Sequence, residues 1–393
     1  MKNIISAFAF IVTICTSFTA FSADSFTDKS NQWWREATAE SINDVIKAGA
    51  DINEKNNEGL TPLMLASKYN EKSEVFELMI KNGADLFAQT DSGLTALMLA
   101  AGSNENPEVA DIMIKNGADI DAKTFDLVTP LMYAAAYNDN PKMIYTLIKY
   151  GSDINTKNNK GLTPLMYAVS INKNFDVIKA LIDSGADVNA RNNSGATILM
   201  IAAQYNENPD VVNELVKSGM DIHARNDAGA TVLMVAAQQN PNPQIIDVLM
   251  KYGSDLNKRD NVGATPLMYA ASNNQNPKII EKLIDYGDKI NTRDNYGANA
   301  LMYAASNNQN PKIIEMLIKK GAQINKKDDR GLTPLMYAAA TSKTPEVIEA
   351  LLKNGANVKI KDSQKKTALD YAKNNRYLSG TDVYWRINDG LYE

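Results

Sequence analysis

The residues able to do chemistry are few. The chain holds one histidine, His223, and one cysteine, Cys15. A single histidine cannot supply a multi-histidine metal site, and a single cysteine cannot close an internal disulfide. A Cys–His nucleophilic pair is equally unsupported, because Cys15 lies in an apolar run at the start of the chain. His223 sits in Asp221-Ile222-His223-Ala224, where the corresponding slot elsewhere carries Asn, as at Asn257. It reads as an exposed turn residue. Acidic pairs such as Asp328-Asp329 could do acid–base work only where burial or a neighbour tunes the carboxyl. Their turn-rich context reads as solvent. No catalytic residue, metal site or cofactor is therefore expected.

What stands out instead is recurrence. Methionine occupies 64, 98, 132, 166, 200, 234, 268, 302 and 336. Soft thioethers suit Cu(I), but these lie inside an otherwise structural motif, and packing between neighbours accounts for them. Basic residues recur at Lys55, Lys123, Lys157, Arg191, Arg225, Arg259, Arg293, Lys327 and Lys361. Such a stripe could hold a polyanion. Asp260, Asp294, Asp328 and Asp362 directly follow four of them, so the expectation is a locally balanced ladder. Asparagine recurs at 70, 104, 138, 172, 206, 240, 274 and 308, and again at 106, 140, 174, 208, 242, 276 and 310. Helix ends explain both series, since Asn tolerates a left-handed C-terminal turn and caps helix N-termini.

Every one of these series advances by 34 residues, and so do two glycine series that hold 18 of the 21 glycines. A chain of 393 residues would ordinarily suggest two or three domains. An unbroken period predicts one stack of short-range contacts. Each unit can be read from its residues. Thr265 caps a helix, and Pro266 suits its first turn. Leu267, Ala270 and Ala271 share one helical face. Asn276-Pro277 opens a second helix with a buried stripe of Ile279, Ile280, Leu283 and Ile284. Gly287 follows, where a helix ends with positive φ. A polar, turn-rich segment from 290 to 297 leads to the next unit.

A 34-residue helix pair fits a tetratricopeptide repeat on period alone, but the motif decides otherwise. Gly-Leu-Thr-Pro-Leu-Met-Tyr-Ala-Ala at 331–339 and Asn-Gly-Ala-Asp-Leu at 82–86 resemble the ankyrin repeat, with its T-P-L-H-x-A signature. The resemblance spans about residues 31–390. It implies an all-α repeat fold, a solenoid of stacked helix pairs with β-hairpin-like loops. About nine full repeats (59–364) are expected between an N-terminal cap unit (31–58) and a C-terminal cap unit (365–393). Trp33, Trp34, Ile42, Val45 and Ile46 should seal one end, and Tyr384, Trp385 and Ile387 the other. Two departures matter. Methionine fills the family's His slot, so the usual turn hydrogen bond must be absent or replaced. The extra residue in the period falls in the loop between the helices.

Residues 1–22 read as a secretory signal peptide, cleaved after Ser22 and removing Cys15. The expected product, residues 23–393, is a single solenoid, periplasmic or secreted and without a membrane anchor. With Lys+Arg 41 against Asp+Glu 46, the net charge of −5 gives no bulk attraction for nucleic acid. In ankyrin repeats the hairpin tips and the exposed side of the first helix form a concave surface for protein partners. Carried over, that surface includes Tyr69, Tyr137, Ile171, Tyr205 and Gln239 on helices, and Val262, Tyr296 and Arg330 at tips. The unit at Thr124-Phe125-Asp126-Leu127-Val128 lacks its turn glycine. Phe125 and Leu127 either fold inward or form a contact site. The implied function is a monomeric, non-enzymatic scaffold that binds another protein. Alternatives are an exported effector that binds a host protein, and an immunity or chaperone-like partner of a periplasmic enzyme.

Overall fold

The computed structural model describes residues 25–392. The expected signal segment and Cys15 lie outside the described residues. Those residues form 22 helices and no strand, with two isolated antiparallel bridges, Arg191 to Thr197 and Arg225 to Thr231. They divide into two compact units, residues 25–119 and 120–392. The first contains helices Asn31–Glu36, Ala39–Lys47, Pro62–Tyr69, Ser73–Lys81, Ala96–Ser103 and Pro107–Lys115. The second begins at Pro130–Tyr137 and ends at Asp382–Tyr392. Between the terminal helix pairs, first helices of eight residues alternate with second helices of nine, such as Pro266–Asn273 and Pro277–Asp285, whereas Asn31–Glu36 and Ala368–Ala372 are shorter and Asp382–Tyr392 is longer.

Local chemistry sets each helix. Thr265 Oγ1 accepts from Met268 N at 3.4 Å, and Pro266 occupies the first turn. Met268 Sδ returns the bond by accepting from Thr265 N at 3.4 Å. Met64 and Met234 do the same. The thioether thus replaces the family's His in closing the turn, and these methionines are buried. In the last unit Asp370 takes the slot, accepting from Thr367 N and Oγ1. Leu267, Ala270, Ala271, Ile279, Ile280 and Leu283 are buried as expected, and Ile284 is half-buried. Gly287 has φ 108°, a conformation that Asn would tolerate poorly and Leu hardly at all.

The asparagines that end the first helices do not adopt a left-handed turn. Asn274 is extended, with φ −72° and ψ 132°. Its side chain explains it instead. Asn274 Nδ2 donates to Ala237 O and Asn240 O of the preceding repeat, each at 2.9 Å. Its Oδ1 accepts from Asn276 N. Asn206, Asn240 and Asn308 repeat the pattern in the second unit, and Asn104 in the first. All are at most 3% exposed, so the amides bridge repeats in the interior. The second asparagine series adds an outer rung. Asn242 caps its helix through Gln244 N and donates to Glu207 O, 35 residues back.

The ends differ from the middle. Trp34 and Ile42 are fully buried, and Phe26 stacks on Trp34 with centroids 5.4 Å apart. At the other end Val383 and Ile387 are buried, but Trp385 is 55% exposed and stands edge-on to Tyr384. Trp385 therefore does not seal the final face. It follows Tyr384 on a helix whose inward positions are already taken by Val383 and Ile387.

One framework slot departs from its series at two places, Met220 and Asp288, and the second buries a charge-bearing group. Ala or Ser fills the slot after the turn glycine at Ala186, Ser254 and Ala322, but Asp288 fills it once. Asp288 is buried and accepts from Leu267 N at 3.1 Å. Burial pushes its carboxyl up to about 6, against two backbone N–H groups that pull it down. The folded state therefore holds the proton more tightly than the unfolded chain, and stability falls as pH rises from about 4 to about 6. Asp288→Ala should raise stability at pH 8 by about 1–2 kcal/mol and have little effect near pH 4, read as urea midpoints at both pH values. Asn240→Ala should destabilise by about 2–3 kcal/mol, because it strands two carbonyls and one N–H in the interior. Asn242→Ala, at the outer rung, should lose only about 1 kcal/mol.

Candidate functional site

The hairpin tips are built by a side chain at the base of each turn. Asp294 Oδ1 accepts from Tyr296 N at 2.9 Å and Ala298 N at 2.8 Å, and Oδ2 accepts from Tyr303 OH at 2.8 Å. Tyr303 lies on the first helix nine residues on. Asp260–Tyr269, Asp328–Tyr337 and Asp362–Tyr371 repeat this. Where Asn replaces Asp, Asn158 Nδ2 donates to Tyr167 OH. The tyrosine ring is thereby fixed against the turn it follows. The hydroxyls of Tyr269 and Tyr303 are raised well above the ordinary phenol range by burial and the facing carboxylate. Burial pushes the Tyr167 hydroxyl up to about 12.

These aspartates are not solvated tip carboxylates, nor do they balance the preceding cations. Asp294, Asp328 and Asp362 are at most 8% exposed. The basic series spans repeats instead. Arg191, Arg225 and Arg259 each donate through Nη1 to the carbonyl of the equivalent residue 34 positions on, at 2.7 Å. Lys157 and Lys327 reach the same carbonyl. Within this series, among the described residues, Arg293 is the one in an ion pair, with Asp329 at 2.6 Å. A polyanion stripe and a locally balanced ladder both give way to a carbonyl-binding ladder. The neighbouring tip residue adds another link. Asn295 N donates to Val262 O and Asn261 N to Ala228 O. A Cβ at Gly263 would lie 2.8 Å from Asn295 N, so glycine is required where one tip lies against the next.

On this frame, the tips and first helices of the second unit enclose a cavity of about 550 Å³. Its lining includes Asp294, Tyr296, Tyr303, Asn307, Arg330 and Tyr337. Two expected site residues, Tyr296 and Arg330, meet here. Tyr296 is 64% exposed, and the Arg330 guanidinium lies 3.4 Å from Tyr337 OH. Val262 is exposed at its own tip, and Ile171, Tyr205 and Gln239 are half-buried on their helices, outside this cavity. Tyr137 is half-buried, its ring 6.1 Å from Tyr133. Tyr69 belongs to the first unit, where Arg35 and Lys68 lie over its ring. Tyr303 and Tyr337 were not expected as site residues. Their signal was a tyrosine recurring at a 34-residue step, nine residues after Asp.

Two tips lack the glycine, at Leu127 and Lys365, and both keep their turns. Leu127 adopts φ 59°, and its N donates to Thr124 O. Phe125 is 77% exposed and Leu127 41%, so neither folds inward. His223 is exposed, its N donating to Asp221 Oδ1. Among the described residues no cluster of three metal-ligating side chains occurs, and no helix is long and apolar enough to cross a membrane.

The model of the ankyrin repeats family (three copies) matches residues 35–124, 131–226, 233–328 and 301–381. The chain belongs to the ankyrin repeat family. Ankyrin repeats are in general protein–protein interaction modules, typically scaffolds rather than enzymes. No curated protein matches this ankyrin-repeat chain. Leu127 is one of two positions, with Lys365, where the family's usual turn glycine is missing. Leu127→Gly should stabilise the protein by roughly 0.5–1 kcal/mol by relieving the left-handed strain, offset in part by glycine's greater unfolded freedom. A raised urea midpoint with an unchanged slope is the expected result.

Proposed function

We propose that this ankyrin-repeat protein is an exported, non-enzymatic scaffold that holds a partner protein on its hairpin tips and first helices. The observation behind this reading is where variation falls. Thr at the framework slots caps its own helix, Gly supplies the positive φ of the turns and Asn bonds to the preceding repeat, whereas the tip residue before the turn glycine slot varies widely from unit to unit. Large side chains stand in solvent there, Phe125, Tyr296 and Val262 among them. Exposed aromatics and an arginine around a cavity are the composition of interface anchors. Rigid repeats lower the ordering cost of association, and the tip side chains set specificity. Export rests on the apolar opening segment and on a single cysteine that would leave with it. In an oxidising space the remaining chain cannot mispair.

Affinity capture from the periplasm of the source cell tests the surface. Tyr296→Ala/Arg330→Ala and Phe125→Ala/Leu127→Ala are compared with wild type and with Lys179→Ala, an exposed second-helix control. A specific partner should be retained by the control and weakened about tenfold or more by at least one tip pair. Equal retention by all three variants rejects the surface. Mass measurement of the exported protein checks cleavage after Ser22.

A further inference from the structure

The cavity between the tips of Tyr296 and Arg330 has an asymmetric chemistry. Three tyrosines line it, one with its ring largely in solvent. Tyr303 and Tyr337 each give their hydroxyl proton to a carboxylate at 2.8 Å, so toward the cavity their oxygens can only accept. A phenol that donates to a carboxylate also gains electron density in its ring, which strengthens the negative face that attracts cations. Asn307 spends one amide hydrogen on Ser272 Oγ and keeps its Oδ1 acceptor and its second N–H.

Two carboxylates line the space, Asp294 and Asp329; a third, Asp328, is outside the lining but faces its Arg330, and the three differ. Asp329 is paired with Arg293 at 2.6 Å, and Asp328 has Arg330 Nε at 3.7 Å. Asp294 is satisfied by two backbone N–H groups and Tyr303 OH, and among the described residues it has no cation within ion-pair distance. Its charge is uncompensated and only 8% exposed. Arg330 is the one cation of the lining, already drawn to Asp328 and Tyr337. Arg330 could meet an incoming carboxylate, but Asp294 and Asp329 would oppose it, whereas an incoming cation would find Arg330 outweighed by two carboxylates and the tyrosine oxygens.

We propose that this cavity receives a cationic side chain, arginine or lysine, projecting from the bound protein. The proposal rests on the protein-binding reading for the identity of the ligand, but not for its charge. A volume of about 550 Å³ admits such a side chain and part of its flanking backbone. The net charge of −5 favours a basic partner at long range.

The test uses the full exported chain with ring-labelled tyrosine, observed by NMR. The Tyr296, Tyr303 and Tyr337 signals are assigned by single Tyr→Phe variants. N-acetyl-arginine amide and N-acetyl-lysine amide should shift the Tyr296 and Tyr303 signals saturably, while N-acetyl-glutamate amide should not. Asp294→Asn is the decisive variant. Asn fills the same slot at Asn158 and Asn192, with the same backbone bonds, so the turn survives while the charge goes. It should weaken the arginine probe about threefold to tenfold. Equal shifts from the glutamate probe, or unchanged arginine affinity in Asp294→Asn, overturn the proposal. So does silence of all probes at millimolar concentration, even if Tyr296→Ala/Arg330→Ala loses a captured partner, and that result leaves the surface reading intact. Arginine binding without any captured protein supports the cation site and counts against the protein ligand.

Discussion

A buried side-chain amide that binds two repeats at once is the constraint on which the rest of this molecule depends. An asparagine has two N–H donors and an acceptor oxygen. Asn240 uses the donors on Ala203 O and Asn206 O behind it and the acceptor on Asn242 N ahead. Asn240 O in turn accepts from Asn274. One residue type therefore ends a helix, starts the next loop and fixes the spacing to its neighbour. No single repeat can satisfy these groups alone, because their partners lie 34 and 37 residues away. A lone repeat would leave them in water or unpaired. Stacking is thus required by polar chemistry as well as by the apolar stripes, which tolerate sliding better than a fixed amide does.

The exception shows what the amide does. Ser342 takes the asparagine slot, and its hydroxyl closes a local turn with Thr344 and reaches no carbonyl behind it. Thr341 Oγ1 supplies a substitute by donating to Ser306 O, at an exposed position. Asn375 restores the ladder by donating to Ala339 O and Ser342 O. The joint between these repeats is therefore held by weaker, wetter bonds than the joints around it. Elsewhere the frame is rigid enough that tip residues carry little structural duty. Tyr296 and Arg330 contribute only backbone atoms to the links between tips, at Tyr296 O and Arg330 O, so their largely exposed side chains are not needed to hold the tips together.

Much of this was legible in the amino-acid order. The period, the Thr and Asn caps, the glycine slots and the buried stripes are local, and a residue type at a fixed offset implies them. What was misread involves a neighbour 34 residues away. Asn274 looked like a left-handed helix end because its type permits that conformation; its extended backbone follows from a carbonyl in another repeat. Arg259 looked as though Asp260 would balance it, yet its guanidinium reaches Arg293 O. Asp328 looked solvated because turns usually are. Trp385 looked like a seal because it is large and apolar. The cavity was half visible, in Tyr296 and Arg330. Its other walls, Tyr303 and Tyr337, passed as framework because they recur.

That recurrence has its own logic. The turn base is Asn at 158, 192 and 226 and Asp at 260, 294, 328 and 362. Each of the four Asp residues is followed after nine residues by tyrosine, whereas Asn192 and Asn226 are followed by Ile201 and Val235. The turn's N–H groups occupy only Oδ1. A buried carboxylate needs a second donor for its other oxygen, at a desolvation cost of several kcal/mol otherwise. Tyrosine hydroxyl is that donor. An amide at the same place carries no charge to stabilise, so an aliphatic side chain suffices beside it. The Asp–Tyr pairs are thus a matched set, and their arrival together from Asp260 onward changes the face. Toward Asn192 it is aliphatic and uncharged at depth. Toward Asp294 it carries buried negative charge behind aromatic rings. A partner that reads both stretches must present apolar surface to one and positive charge to the other.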